Sequence, residues 1–237
     1  MKRFWSDVAV VADNGYGIAL DRQPVRTPGR APLALPTRAL ADAVAAEWNA
    51  VEGQIDPRAM PLTGLANAAI DRIMPDSALF AAGLARYAES DLLCYRADTP
   101  APLVERQAAA WDPLLEWARG RYDVHFEITG GVMHVAQPPA TIARLSEAIA
   151  ARDAFELAPL SIVTTITGSL VMALALAERA FAADTLWHAA QVDEDWQREQ
   201  WGEDALANQT RESRRAEYDA AARFLAASQT RDAPTDP

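Results

Sequence analysis

The spacing of apolar residues changes at Thr37, from the alternation typical of strands to the three- and four-residue intervals typical of helices. Before that point, Asn14-Gly15 is a dipeptide that favours a two-residue hairpin turn. Strand-like segments bounded by turn residues fall at 7–12, 16–20, 23–28 and 32–36. We therefore expect a small antiparallel sheet in the first part of the chain.

Helical spacing dominates after Thr37, which is placed to act as the N-cap of a first helix. A second helix is predicted from Thr63 until Pro75 ends it. Further helices are predicted at roughly 77–95, 101–119, 140–151, 160–179, 184–202 and 204–227. The expected fold class is α+β, with a small antiparallel β-rich N-terminal domain over 1–75 followed by a larger all-α domain over 76–237.

One segment inside the helical region alternates instead. HFEIT (125–129) and VMHVA (132–136) flank Gly130-Gly131, a pattern that predicts a β-hairpin. Such a hairpin could be an isolated flap, or it could return to the N-terminal sheet.

The segment 157–177 contains no charged residue over a length that could cross a bilayer. Its middle, however, is polar and small, with Thr164, Thr165, Gly168 and Ser169. A membrane helix tolerates such residues but is not driven into lipid by them. We therefore expect a buried central helix and no membrane insertion.

Charge and residue counts disfavour several function classes. With 22 basic and 33 acidic residues the formal net charge is −11, so a nucleic-acid or anionic-membrane binder is not expected. Lys2 is the single lysine, which leaves no interior lysine for a phosphate loop or a cofactor Schiff base. Three scattered histidines and the lone Cys94 do not form a zinc motif, and one cysteine closes no internal disulfide. No cofactor or metal is expected, and a reducing cytoplasm fits best.

The segment 184–204 concentrates negative charge, with seven acidic residues and one arginine. Trp187, Glu194 and Trp201 are spaced by seven, which places them on nearly one face of a helix. An unpaired buried carboxylate is costly. Glu194 must therefore pair with an arginine inside the protein, border solvent, or await a positive charge on a partner.

Three interpretations of this segment remain open. In the first, Trp187 and Trp201 are core anchors, Glu194 pairs with a local arginine, and the other acids form a solvated face. In the second, Trp196 or Trp201 supplies apolar area at an interaction surface where Glu194 and Glu199 meet arginines of a partner. In the third, the segment belongs to an acid-pair hydrolase or another enzyme that uses carboxylates, which requires two carboxyl groups at a fixed separation that a sequence does not show.

Several strings, taken together and in order, resemble one family over nearly the whole chain. They are RFW (3–5), GYGIALD (15–21), RTP (26–28), AAEW (45–48), IDP with MPLT and LANAAID (55–71), ARYAESDLLCYRA (85–97), RQ with WDPLLEWA (106–118), TGSLVMALA (167–175) and VDEDWQREQWGED (192–204). The chain is similar to the assembly chaperones of the F-type ATP synthase that act on its alpha subunit.

That resemblance implies a cytoplasmic bacterial protein, related to alphaproteobacterial members, without catalytic activity. Such a chaperone holds newly made alpha subunit before it joins beta, and it shields a surface that would otherwise aggregate. The resemblance marks Trp48 and the acids of 192–204 as partner-binding, although the apolar stripe around Trp48 favours a core position. The candidate partner-binding residues are therefore Trp48, Asp193, Glu194, Trp196, Glu199 and Trp201. The sequence leaves the oligomeric state open and favours a monomer.

Overall fold

The computed structural model describes residues 2–12, 15–131, 133–202 and 204–230. Its strands are β1 (Val8–Ala12), β2 (Tyr16–Leu20), β3 (Gln23–Pro24), β4 (Ala34–Leu35), β5 (Tyr95–Arg96) and β6 (Thr129–Gly130). Its α-helices are α1 (Arg38–Asn49), α2 (Pro61–Ala68), α3 (Ser77–Ala85), α4 (Ala101–Tyr122), α5 (Pro139–Ala150), α6 (Ala154–Thr167), α7 (Leu170–Ala177), α8 (Ala183–Ala190), α9 (Val192–Trp201) and α10 (Ala205–Ser228). A small antiparallel β region precedes a mostly helical remainder, which confirms the predicted α+β class.

The first four strands form the predicted antiparallel sheet. β2 lies at its centre and pairs with β1, β3 and β4. The register runs from Val8 opposite Leu20 to Ala12 opposite Tyr16. Asn14, half of the predicted hairpin turn, lies outside the described residues. α1 packs on β1 and β2, and its apolar residues Leu40 and Val44 are fully buried there.

The start of α1 agrees with the sequence prediction. The Thr37 side chain accepts a hydrogen bond from the Leu40 N–H at 3.1 Å, as an N-cap does. The second predicted helix begins earlier than expected, at Pro61, and Pro75 does not end it. A five-residue π-helix (Ala69–Ile73) and a 3₁₀ turn (Met74–Asp76) carry the chain past that proline directly into α3.

The chain divides into two compact units. The first contains Met1–Ser77, Asp153–Pro159 and Ala220–Pro237, and the second contains Ala78–Arg152 and Leu160–Asp219. Within the first unit, the Thr37 hydroxyl donates to the Ala227 carbonyl at 2.7 Å. The rings of Phe155 and Phe224 stack at 6.5 Å in the same unit. The domain boundary that the sequence suggests at residue 75 stays a prediction.

The predicted single helix over 160–179 is wrong, because the chain forms α6 and α7 there. Gly168 takes a positive φ of +67° between them, a conformation that glycine adopts without steric cost. The Ser169 side chain then caps α7 by accepting from the Met172 N–H at 3.0 Å. All eight residues of α7 are buried. Within the described ranges, no helix combines the length and apolar character that crossing a bilayer requires.

The predicted hairpin over 125–136 is also wrong in the part of it that the structure describes. Thr129 and Gly130 form a short parallel pairing with β5 instead. Side chains satisfy the neighbouring backbone groups. The Gln137 amide accepts from the Glu127 N–H at 3.0 Å and donates to its carbonyl at 2.8 Å. The Thr141 hydroxyl bonds the N–H and the carbonyl of His125 in the same way, so these backbone groups need no second strand.

Candidate partner-binding surface

A helix break at Gln191 sets the position of α9. The sequence predicts one helix over 184–202, and this is wrong because α8 ends at Ala190 and α9 begins at Val192. Neither proline nor glycine stands at the break. The Trp111 indole N–H donates to the Ala189 carbonyl at 2.7 Å, and in a continuous helix that carbonyl would accept from the N–H four residues later. The buried indole therefore binds a helix carbonyl at the point where α8 ends.

The break separates the two tryptophans that the seven-residue spacing placed on one face. Trp187 on α8 is 3% exposed and packs against Tyr218, with ring centroids 5.4 Å apart. The Arg215 guanidinium lies over its ring at 5.3 Å. Trp201 at the end of α9 is 79% exposed. Trp187 is thus a core anchor, whereas Trp201 is a surface side chain.

α9 is an acidic surface helix. None of its ten residues is buried, and it carries Asp193, Glu194, Asp195 and Glu199 against one arginine. Trp201 and Leu206, which is 73% exposed, place large apolar side chains beside these acids. A groove of about 570 Å³ runs between α9 and α10, lined among others by Glu194, Trp201, Leu206, Arg211 and Arg214. Glu203, another acid of the sequence segment, lies outside the described residues.

Glu194 borders solvent and has a local partner. One nitrogen of Arg214 on α10 lies 3.2 Å from its carboxylate, and both side chains are about half exposed. A single contact of this kind at the surface contributes little to stability. Glu194 is therefore not locked in a closed internal ion pair, and its carboxylate can exchange partners.

Glu199 also faces solvent, with a better-formed partner. The Arg106 guanidinium on α4 makes two parallel contacts with its carboxylate, at 2.8 Å and 2.7 Å. The same guanidinium lies over the ring of the partly buried Trp196, 5.1 Å from its centroid. Hydrogen bonding to Arg106 lowers the pKa of Glu199. An indole, a carboxylate and an arginine thus meet at one exposed point.

The other two acids of α9 hold the helix in place. Asp193 accepts from the side-chain amide of the buried Gln107 at 2.7 Å, and the same Gln107 accepts from the Ala97 N–H at 2.8 Å. Asp195 pairs with Arg211 at 2.6 Å and with Arg198 at 3.0 Å. The helix is therefore anchored through Asp193 and Asp195, while Glu194 and Glu199 point to solvent.

Trp48 belongs to the first unit, apart in the chain from the other candidates. It packs, partly buried, against the cluster of Trp5, Leu20, Val51 and Met60, and its ring meets Trp5 edge to face at 5.3 Å. Among the described residues, the indole N–H groups of Trp5 and Trp48 find no acceptor. This environment is that of a core residue, as the apolar stripe predicts, so a binding role for Trp48 stays a prediction.

Comparison with known proteins bears on the identity of this surface. The family model for the ATP12 chaperone protein matches residues 2–119. The crystal structure of Atp12 from Paracoccus denitrificans is 41% identical, with a TM-score of 0.92 over 96% of this chain and 98% of that one. The chain belongs to the ATP12 chaperone family.

Two further solved structures agree with this membership in the ATP12 family. A mutant of the P. denitrificans protein matches with the same identity and TM-score. A protein from Agrobacterium tumefaciens, described as a candidate chaperone, is 41% identical with a TM-score of 0.90, over 95% of this chain and 85% of that one. The predicted family and its alphaproteobacterial-type relationship are confirmed, and the chain is an assembly chaperone of ATP synthase.

Several polar residues in the strings that resemble the ATP12 family have structural roles here. The Glu47 carboxylate accepts from the first N–H groups of α2, those of Leu62 and Thr63, at 2.7 and 2.8 Å. Asp71 accepts from the Thr27 hydroxyl at 2.6 Å and the Gly29 N–H at 2.8 Å. Burial raises the pKa of the Cys94 thiol to about 12, so this cysteine is the buried apolar residue that the sequence indicates. In the described ranges, no three His, Cys, Asp or Glu side chains are grouped to hold a metal ion.

Sequence reasoning missed the arginines that complete the surface of this ATP12-family protein. Arg106 on α4 and Arg214 on α10 lie far along the chain from the carboxylates that they contact. Glu199 and Arg106 are separated by 93 positions, so no local spacing could have indicated the pair. The sequence signal that was available is the RQ string at 106–107, which gives both the arginine over Trp196 and the glutamine that holds Asp193.

Proposed function

We propose that this chain binds the unassembled alpha subunit of ATP synthase and prevents its aggregation before it pairs with beta. The proposal rests on the surface of α9. This acidic helix has no buried residue, and it ends in Trp201, which is 79% exposed. Exposed aromatic area beside complementary charge is the usual composition of a protein-binding site. The chain acts without catalysis or cofactor, and it acts in the cytoplasm, as the family resemblance implies.

The two kinds of side chain on α9 have different parts in this binding. Trp201, with Leu206 next to it, covers apolar surface of the alpha subunit that would otherwise drive aggregation. Glu194 and Glu199 match arginines that border that apolar surface. Beta then removes the alpha subunit by competing for it, through ordinary mass action, and no nucleotide hydrolysis is required.

Capture from native cell extract tests the partner. We expect the immobilised chain to retain the ATP synthase alpha subunit without beta, with mass spectrometry as the readout. In a purified system, the chain should suppress light scattering by isolated alpha subunit. Retention of an assembled alpha–beta complex, or undiminished scattering, would contradict the proposal.

The substitution Glu194→Gln tests the surface. Because the amide keeps the shape and loses the charge, folding should be unchanged while capture of isolated alpha subunit weakens by about three- to tenfold. Titration of alpha subunit at physiological salt gives the affinity. Glu116→Gln is the matched control, since Glu116 on α4 is 78% exposed and its one ion pair in the described part of the chain is with Arg119, at 3.4 Å. Equal capture by the two variants would remove Glu194 from the interface.

A further inference from the structure

Arg106 on α4 contacts two of the candidate partner-binding residues on α9, Glu199 and Trp196. Its two terminal nitrogens each contact one oxygen of Glu199, at 2.8 Å and 2.7 Å, and the guanidinium lies over the Trp196 ring at 5.1 Å. A fork on a carboxylate with an aromatic face beneath is the recognition geometry that arginine provides and lysine does not. A complete arginine-binding site is therefore present, and the chain's own side chain fills it.

The site continues into an apolar groove. Between α4 and the α8–α9 pair lies a groove of about 630 Å³, bordered by Arg106 and Glu199. Its lining is mainly apolar and includes Pro113, Phe181 and Val192. A segment that fits here carries an apolar side chain next to an arginine. This is the chemistry that the proposed function gives to the surface of the alpha subunit.

We propose that Arg106 is an internal competitor that occupies the partner's arginine position on Glu199 and Trp196 in the free chaperone, and that an arginine of the alpha subunit replaces it on binding. The proposal rests on the function proposed above. The replacement exchanges one arginine for another, so Glu199 is paired with an arginine both in the free chaperone and in the complex. When beta withdraws the alpha subunit, Arg106 returns to the site and helps to complete release.

The Arg106 pair is better suited to exchange than the more buried ion pairs of this region. Arg106 and Glu199 are 46% and 49% exposed, so either side chain can turn into water without leaving a buried charge. Asp195 is 25% exposed and is shared by two arginines. Glu178 is 15% exposed and accepts from Arg121, Arg152 and Tyr122. Separating the ion pairs of Asp195 or Glu178 would therefore require more free energy than separating Arg106 from Glu199.

Removal of the competitor tests the proposal. Arg106→Gln should tighten capture of isolated alpha subunit by about three- to tenfold, because the apparent affinity rises with the fraction of chains whose site is open. Arg106→Lys keeps the charge but not the fork, so its affinity should lie between those of the wild type and Arg106→Gln. Arg119→Gln is the matched control on the same helix, since it removes one positive charge from a side chain that pairs locally with Glu116. It should leave the affinity at the wild-type value.

The outcomes separate this inference from the function on which it rests. Wild-type capture with unchanged or weaker capture by Arg106→Gln would overturn the inference alone. Equal tightening by Arg106→Gln and Arg119→Gln would overturn it as well, since net charge would then be the cause. Failure of both wild type and Arg106→Gln to capture alpha subunit would overturn both proposals. Thermal unfolding of each variant at the wild-type temperature shows that the comparison concerns binding and not folding.

Discussion

Asp91 is a buried carboxylate that forms no ion pair with any residue that the structure describes. It is 0% exposed, and its oxygens accept from the Leu93 N–H at 3.1 Å and from the Val171 N–H at 3.0 Å, where α7 begins. Burial raises its pKa from 3.8 to about 6, in spite of these hydrogen bonds, which act to lower it. Asp91 thus forms a hydrogen bond with the first turn of α7, a helix whose residues are all buried, and this requires burying a carboxylate.

This raised pKa makes stability depend on pH. Because the folded-state pKa of Asp91 lies above its unfolded value, folding favours the protonated form. The contribution is fully present below about pH 4 and is lost as the pH rises through about 6, with a total of about 3 kcal/mol. Urea unfolding at several pH values between 4 and 7 measures it. Asp91→Asn should flatten this part of the profile, and parallel profiles for wild type and variant would contradict the assignment.

For single residues, the sequence predicts roles that depend on near neighbours better than roles that depend on distant residues. Thr37 was predicted as an N-cap and is one, because capping involves neighbours within three residues. Glu194 and Glu199 are candidate partner-binding residues from the sequence, and both side chains are exposed, because α9 is acidic along its length. Their binding role stays a prediction. The role of Asp193 was not predictable, since it depends on Gln107, 86 positions away.

Two glycines of the first unit give a matched test at the scale of elements. A Cβ on Gly64, within α2, would meet nothing within 4 Å, whereas a Cβ on Gly29 would lie 2.6 Å from an oxygen of Asp71. We expect Gly64→Ala to raise the free energy of unfolding by about 0.5–1 kcal/mol, because alanine favours helix. Gly29→Ala should lower it by about 1–3 kcal/mol, through overpacking. Chemical denaturation measures both, and changes of the same sign would show that the space around these glycines does not decide their effect.

The elements show where sequence patterns suffice and where they fail. Apolar spacing predicts the sheet and the helical stretches of the chain, because a helix or strand with one buried face repeats its apolar residues at a fixed interval. It does not predict the breaks at Gly168 and Gln191. The break at Gly168 involves a glycine, and a single glycine does not by itself exclude a continuous helix. The break at Gln191 involves a hydrogen bond from the distant Trp111. The prediction of a hairpin over 125–136 is wrong for a similar reason, since the side chains of Gln137 and Thr141 form hydrogen bonds with the backbone groups there.

At the scale of the whole molecule, the first unit is built from distant parts of the chain. Phe155 and Phe224, 8% and 0% exposed, belong to it together with the first 77 residues. We expect a fragment of residues 1–77 to lack a cooperative thermal transition, because these aromatic side chains would be missing from its core. Circular dichroism with heating, against the full chain, makes the measurement. A cooperative transition of the fragment would show instead that the predicted N-terminal domain is self-sufficient.

The sequence does not predict which distant parts of the chain come together, because contacts between residues far apart in sequence leave no local pattern. Strand and helix patterns are local, and they correctly order a β region before a helical one. The return of the last helix to the first unit, through the Thr37–Ala227 hydrogen bond, spans 190 positions and has no local signature. The pairing of Arg106 with Glu199 is of the same kind. Both follow from tertiary packing.

The absence of any buried residue in α9 has a consequence for evolution. Most helices of a globular protein must keep the side chains that fill the interior, so mutations that alter recognition also threaten folding. Here the two demands fall on different residues, because Asp193 and Asp195 fasten the helix while Glu194, Glu199 and Trp201 are exposed. Specificity for a diverging client can therefore drift rapidly while the thermal tolerance of the chaperone stays the same.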